Sequence, residues 1–231
     1  MIGSTLGRVA SEAAGTALLV GLGTGTIVGA ARIGGIPLLA MTVAWFFAVL
    51  VPILLFIQIS GAHLNPVVTL ALAASGRIAW REVPFYFLGQ FSGAFLASAC
   101  VLAALGDVHH LGATLPAHGD LLGASVGEFT FTAALVISVF VLADLGEGPR
   151  RWRILLPPTA VAFSTYFTGP VSGSSLNPAR TLAPAVLSGT YTDLWMYVVV
   201  VPVAALAVAA AWKPRAVDIE DRGPGRRDPS H

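Results

Sequence analysis

The sequence has few charged residues and only one cysteine. Of its 231 residues, 11% are Asp, Glu, Lys or Arg, whereas 55% are hydrophobic. A soluble domain carries about 25% charged residues, so these charges are too few to cover a surface that faces water. The lone Cys100 excludes an intrachain disulfide and a metal site built from several cysteines. The scarcity of charge predicts a membrane protein.

Six apolar stretches are long enough to cross a bilayer as helices, which takes about 20 residues each. They cover 10–31, 36–59, 83–105, 121–143, 154–170 and 194–212. The fifth has blurred ends, because Pro157, Pro158, Gly169 and Pro170 fall within or beside it. Two further apolar segments, 64–75 and 176–187, are too short to span and are predicted to be re-entrant half-helices.

The basic residues give this topology an orientation. Eleven of the 13 Lys and Arg residues fall on one side of the six predicted spans. The positive-inside rule therefore predicts that both termini are cytoplasmic. The segment 213–231 is charged and rich in Gly and Pro, which predicts a disordered cytoplasmic tail. The net charge of +1 is not concentrated in a basic domain, and no nucleic-acid partner is expected.

The two short segments follow the same motif, SGAHLNPV at 60–67 and SGSSLNPA at 172–179. A Glu-x-x-x-Thr pattern also occurs twice, in the first and the fourth predicted span, beginning at Glu12 and at Glu128. The chain is therefore predicted to be one domain, 1–212, with halves of about 1–106 and about 121–212. Each half has three spans, an odd number, so the second half enters the membrane from the opposite side as an inverted repeat.

The repeated Asn-Pro pairs predict where the half-helices begin. Asn is a strong N-cap, and Pro suits the first helical position. Two half-helices that enter from opposite sides bring their positive dipole ends together near the midplane, where they repel cations. Each Asn amide can donate a hydrogen bond to a passing molecule. The pattern predicts a pore for small uncharged solutes, with its centre at Asn65, Pro66, Val67, Asn177, Pro178 and Ala179.

Four polar residues at membrane depth each have two interpretations. Arg180 is a pore-facing donor or a snorkelling arginine, and its place three residues after Asn177 favours the pore. Glu12 and Glu128 belong to a proton relay or accept backbone N–H bonds from the loops of their own halves. Their duplication favours the structural role. His63 is a pH gate or a residue that pins the loop, and we favour the second.

The loop between the third and fourth spans contains several possible metal ligands. Their spacing matches no known type of metal site, so we predict a solvated external loop and expect neither a metal nor a cofactor. The residues are Asp107, His109, His110, His118 and Asp120.

With these motifs, the sequence over 1–212 resembles the major intrinsic protein family, the aquaporins and aquaglyceroporins. The resemblance implies a six-helix, all-α membrane fold with two half-helices, and a homotetramer in the lipid bilayer with a pore in each subunit. It implies no enzymatic activity. The first motif departs from the family in having Val67 where Ala is usual, which puts the local pore radius in question.

The resemblance also implies an outer selectivity filter at Trp45, Thr165, Ser174 and Arg180. Strict water channels have His at the second of these positions, and glycerol channels have Phe at the third, so this set matches neither pattern. It resembles that of plant nodulin-26-like channels and their bacterial relatives, some of which pass polyols, urea, boric acid or arsenious acid.

A passive channel for water or small neutral solutes is therefore the expected function. A strict water channel is an alternative, as is an ion-coupled secondary transporter, although no Asp or Glu stands beside either Asn-Pro. The richness in Arg, Ala and Gly favours a bacterial source, with the protein in the inner membrane.

Overall fold

The computed structural model describes residues 4–144 and 151–212, and within these ranges the regular structure is helical. Short 3-10 turns occupy Trp80–Glu82, His109–Gly112, Ala117–Gly119 and Arg151–Leu155. The predicted tail, 213–231, lies outside the described residues. The α-helices are α1 (Thr5–Arg32), α2 (Leu38–Ser60), α3 (Pro66–Ala74), α4 (Val83–Leu105), α5 (Leu121–Asp144), α6 (Leu156–Phe167), α7 (Gly169–Ser172), α8 (Pro178–Ser188) and α9 (Leu194–Ala211).

Five of these helical segments are long and apolar enough to cross a membrane, and they match predicted spans one to four and six. Many of their large apolar side chains point outward, as Leu88 and Leu96 do on α4 with 61% and 62% of their surface exposed. Such a surface suits lipid rather than water. The predicted all-α membrane fold is confirmed. The five segments are Thr5–Arg32, Leu38–Ser60, Trp80–Leu105, Leu121–Asp144 and Leu194–Ala211.

The fifth predicted span differs in being broken into consecutive pieces. The turn at Arg151–Leu155 leads into α6, which has only 12 residues and ends at Phe167, one residue before the four-residue α7. Pro170 explains the break, because proline lacks the N–H that a continuing helix needs and its ring crowds the preceding turn.

The two half-helices begin in the same way. The N-caps Asn65 and Asn177 have nearly equal backbone angles, with φ of −157° and −152° and ψ of 123° and 109°. The helices that follow, α3 and α8, have 9 and 11 residues. At 1.5 Å per residue they reach roughly half-way through a hydrocarbon core of about 30 Å.

Helices α1 and α4 pack with their backbones very close, because α4 has glycines at the crossing. A Cβ atom on Gly93 would lie 2.1 Å from the carbonyl oxygen of Ala13, and one on Gly89 would lie 2.6 Å from that of Val9. Both obstacles are backbone atoms, which cannot rotate away as a side chain can. The first and third spans of half one are thus held in a fixed relation, and the loop that precedes α3 lies against both.

Substituting Gly93→Ala should therefore destabilise the protein, because α1 and α4 would have to move apart. The matched control is Gly29→Ala in α1, where an added Cβ meets no atom within 4 Å. We expect a lower thermal unfolding midpoint in detergent for the first variant and an unchanged or higher one for the second. Equal midpoints for the two variants would contradict this account of the packing.

Candidate functional site

The two asparagines that cap the half-helices also join the halves of the chain. The side-chain oxygen of Asn65 accepts from the N–H of Val67 at 3.0 Å, while its Nδ2 donates to the carbonyl of Leu176 at 2.7 Å. In the same way, Nδ2 of Asn177 donates to the carbonyl of Leu64 at 2.9 Å. An amide nitrogen has two N–H groups, so each asparagine retains one donor beyond this bond.

Val67, the departure from the usual motif, is fully buried among the core residues and does not line the long cavity described below. Its N–H bond to Asn65 has the same 3.0 Å length as the bond from Ala179 to Asn177. The extra methyl groups therefore point into the core, and the capping geometry is the same in both halves.

A buried carboxylate holds the loop before α3. Glu12 accepts hydrogen bonds from the backbone N–H groups of His63 at 2.9 Å and Leu64 at 2.7 Å. The Ser60 hydroxyl at 2.6 Å and the Gln90 side-chain amide at 2.8 Å complete its shell. Four donors around a fully buried carboxylate stabilise its charged form and satisfy backbone groups that no helix pairs.

The second half repeats this arrangement. Glu128 accepts from the N–H groups of Ser175 at 2.7 Å and Leu176 at 2.9 Å, and from the Ser172 hydroxyl at 2.8 Å. These contacts agree with the structural interpretation of the two glutamates. A relay would instead require a chain of proton-carrying groups that leads away from each carboxylate.

Two tyrosines that the sequence motifs did not reveal support the same loops. The hydroxyl of Tyr86 donates to the carbonyl of Ser60 at 2.6 Å, and that of Tyr197 donates to the carbonyl of Ser172 at 2.5 Å. Their spacing of 111 residues is nearly the offset of 112 that separates the Asn-Pro motifs, so an alignment of the two halves would have found them.

His63 is fixed by neighbours in half one. Its Nδ1 lies 3.1 Å from the hydroxyl of Thr69, and its ring stacks on that of Tyr86 with centroids 4.2 Å apart. The counterparts in half two are Ser175 and Thr181, whose hydroxyls are also hydrogen-bonded. These contacts suit the predicted loop-pinning role of His63.

One long cavity, with a volume of about 1350 Å³, runs past both asparagines. Its wall follows α2 from Trp45 to Gln58, which corresponds to roughly 20 Å at the helical rise. Three arginines line it, whereas none of its described lining residues is Asp or Glu. The charged and amide side chains of the wall are Gln58, Asn65, Arg77, Arg153, Asn177 and Arg180.

Arg180 and Trp45 lie together in the wall of this cavity. The guanidinium carbon is 4.9 Å from the centre of the Trp45 ring, which is close enough for a cation–π interaction. Nη1 donates to the carbonyl of Gly112 at 2.8 Å, and Nε is buried without an acceptor among the described residues. Arg180 is thus a fixed cation at the cavity surface.

Comparison with known proteins assigns this arrangement to a family. The family model described as "Major intrinsic protein" matches residues 3–212. The chain belongs to this family. Aquaporin NIP1-1 of Zea mays is 38% identical over 207 residues, which is 89% of this chain and 72% of that protein. Aquaporin NIP1-3 of Oryza sativa subsp. japonica is 36% identical, with coverage of 93% and 75%.

A solved structure has the same fold. The X-ray structure of the aquaglyceroporin from Plasmodium falciparum superposes with a TM-score of 0.75 and covers 90% of this chain and 95% of that one. At 24% identity, this likeness concerns the fold alone. The two relatives named above are plant proteins, so they lend no support to the predicted bacterial source.

The other two filter positions implied by the family resemblance are not in the cavity wall. The hydroxyl of Thr165 donates to the carbonyl of Val161 at 2.9 Å within its own helix, and the hydroxyl of Ser174 donates to that of Ser164 at 2.7 Å. The structure thus brings Trp45 and Arg180 together on the cavity and directs these two hydroxyls into the protein. The four-residue filter stays a prediction.

The loop after α4 is less solvated than its polar residues indicated. His109 and His110 are exposed, but Leu111 is fully buried and Gly112 holds Arg180. No group of three or more His, Cys, Asp or Glu suited to a metal occurs in the described ranges, and the side chain of His118 lies outside them.

Replacing Glu128→Gln should destabilise the second loop without opening a proton path. Gln keeps the size of Glu but replaces one acceptor oxygen by a donor, which would face an N–H or O–H group. An unmet buried donor costs about 1–3 kcal/mol, and we expect a lower unfolding midpoint. Val126→Ala on α5, a site that is 57% exposed, serves as the control. Proton flux lost from an otherwise stable Glu128→Gln protein would instead indicate a relay.

Proposed function

We propose that the protein is a passive channel for water and small uncharged solutes, with room for compact polar molecules such as glycerol, urea or arsenious acid. The observation that carries this proposal is the cavity that passes Trp45, Arg180, Asn65 and Asn177 in one continuous space. Its volume of about 1350 Å³ exceeds that of ordinary ligand pockets, which measure about 300–1,000 Å³.

The charges on the wall favour neutral solutes over cations. The positive ends of α3 and α8 point toward the two asparagines, where they oppose the passage of cations and hydronium. Arg153 and Arg180 add positive charge, and no described lining residue is acidic, although the charge of Arg77 is paired with Asp144. Each asparagine donates a hydrogen bond to an oxygen atom of the solute. These bonds replace part of the solute's hydration shell.

The surroundings of Trp45 support an opening wider than that of a strict water channel. A Cβ on Gly23 would lie 2.4–2.7 Å from three carbons of the indole. The ring therefore lies against the backbone of α1, in space that only glycine leaves free. Thr165 and Ser174 are small, and their hydroxyls bond away from the cavity. Trp45 then forms a flat apolar part of the cavity wall beside Arg180.

The family supports a channel rather than a coupled transporter. Both plant relatives are named aquaporins, and the solved neighbour is named an aquaglyceroporin. A transporter driven by H⁺ or Na⁺ needs a coupling site at the midplane. Glu12 and Glu128, the buried carboxylates nearest the loops, already accept four and three hydrogen bonds.

We further propose a homotetramer in a plasma membrane, with cytoplasmic termini.

The purified protein in liposomes tests this function directly. Light scattering after an osmotic step gives the permeability to water, and swelling in an isosmotic solute gives those to glycerol, urea and arsenious acid, with protein-free liposomes as the control. We expect water and at least one solute to pass without saturation or dependence on an ion gradient. If water alone passes, the channel is water-specific. Flux that needs a gradient of H⁺ or Na⁺ would establish a transporter.

Substituting Gly23→Ala should narrow the opening. The new Cβ displaces the Trp45 indole away from α1 and into the cavity that it lines, so glycerol permeability should fall more than water permeability. The matched control is Gly21→Ala on the same helix, where the added Cβ has ordinary contact with Ala97 at 3.7 Å. Since a ratio of two permeabilities does not depend on the amount of active protein, an unchanged glycerol-to-water ratio in Gly23→Ala would show that Trp45 does not limit the solute.

A further inference from the structure

A second arginine lies in the cavity wall just beyond the end of α3. Gly76, with φ of +76°, reverses the chain there, and the N–H of Arg77 donates to the carbonyl of Leu72 at 2.8 Å. This is a common way to end a helix, and a cation at that end interacts favourably with the helix dipole. Arg77 is thereby placed away from Asn65, which caps the other end of the same half-helix.

The side chain of Arg77 is held by two residues of α5, one of which is in turn held by Trp212 at the end of α9. Its Nε and Nη2 donate to the two oxygens of Asp144 at 2.8 and 2.7 Å, and Asp144 also accepts from Nε1 of Trp212 at 2.9 Å. The guanidinium carbon lies 4.1 Å from the centre of the buried Phe140 ring. A two-pronged contact with a carboxylate fixes the plane of the guanidinium. The group therefore has one orientation relative to the cavity.

Arg77 and Arg180 share the same design in the wall of one cavity. Each guanidinium lies over an aromatic ring, at 4.1 Å from Phe140 and 4.9 Å from Trp45. Each also has a buried N–H group without an acceptor among the described residues, Nη1 in Arg77 and Nε in Arg180. Such groups in native proteins go with strain, a functional role or a bound water or ion. Both arginines line the cavity, and 13% of the Arg77 side-chain surface is exposed, so a solute in the cavity can contact that part of the side chain.

We propose that Arg77 is a second solute-contacting residue, at the end of the cavity opposite Arg180, and that Asp144 and Trp212 position it. A neutral solute that leaves its hydration shell there exchanges water for the donors of a fixed guanidinium. Glycerol, with three hydroxyl oxygens to desolvate, gains more from such donors than a water molecule does. This inference rests on the proposed function, since it concerns what the same cavity conducts.

The positioning residues extend the site to the last described part of the chain. Trp212 directly follows α9, and its ring also meets Phe140 edge to face at 5.6 Å. Asp144 is the final residue of α5. The ends of two spanning helices thus converge on one arginine, and removing the Trp212 N–H alone should loosen Arg77 without removing it.

The test measures the ratio of glycerol to water permeability in the same proteoliposomes. The main variant is the double substitution Arg77→Gln with Asp144→Asn, which removes both charges and leaves no buried carboxylate unpaired. We expect its ratio to fall by about fivefold, the size typical of one lost hydrogen bond. Trp212→Phe should lower the ratio less, and Arg77→Lys should fall between the wild type and the double variant. The control is Arg81→Met, because the side chain of Arg81 is 85% exposed and does not line the cavity.

The outcomes separate this inference from the proposed function. If the wild type passes neither water nor glycerol, the proposed function fails. If the wild type conducts both, and the double variant unfolds at a lower temperature with an unchanged ratio, Arg77 has only a structural role and the inference is wrong. An equal fall in Arg81→Met would show a general effect of surface charge and would also overturn it.

Discussion

Backbone N–H groups that lie outside a helix at membrane depth must find acceptors inside the protein, because hydrocarbon offers none. The two loops that lead into α3 and α8 face this constraint most severely. Ala62 and Leu64 in one loop, and Ser174 and Leu176 in the other, have φ between 48° and 55°. Such angles are unfavourable for residues with side chains. These loop conformations are stable because Glu12 and Glu128 each accept several hydrogen bonds from them.

The position of every other pore group depends on these loops. They set the direction in which the side chains of Asn65 and Asn177 point. This direction decides which amide N–H donates to the opposite loop and which would remain for a solute in the proposed channel. They also fix where α8 begins, and Arg180 lies in its first turn. In the proposed channel, the carboxylates would therefore contribute to selectivity without contacting the solute, by holding strained backbone in one conformation.

The sequence predicted the features that repeat or that need one residue type. Six apolar stretches, the two Asn-Pro starts and the duplicated Glu-x-x-x-Thr pattern led to the observed helical fold, because each follows from local chemistry. The break at Thr168 was not predicted, because several prolines fall close together there and local rules do not say which of them ends the helix. Contacts between distant segments were not predictable from single motifs. Gly112 meets Arg180, and Trp212 meets Asp144, only because the tertiary fold brings them together.

The reciprocal bonds of the asparagines also bear on the order in which the protein can assemble. Asn65 needs the carbonyl of Leu176, which a ribosome adds 111 residues later. When half one has entered the bilayer, this amide and the carbonyl of Leu64 have no partner in the chain made so far. Two polar groups without hydrogen-bond partners are unfavourable at that depth. The centre of half one must therefore stay hydrated, or α3 must remain outside the bilayer, until half two is made. The inverted repeat is thus a fold whose halves complete each other during synthesis.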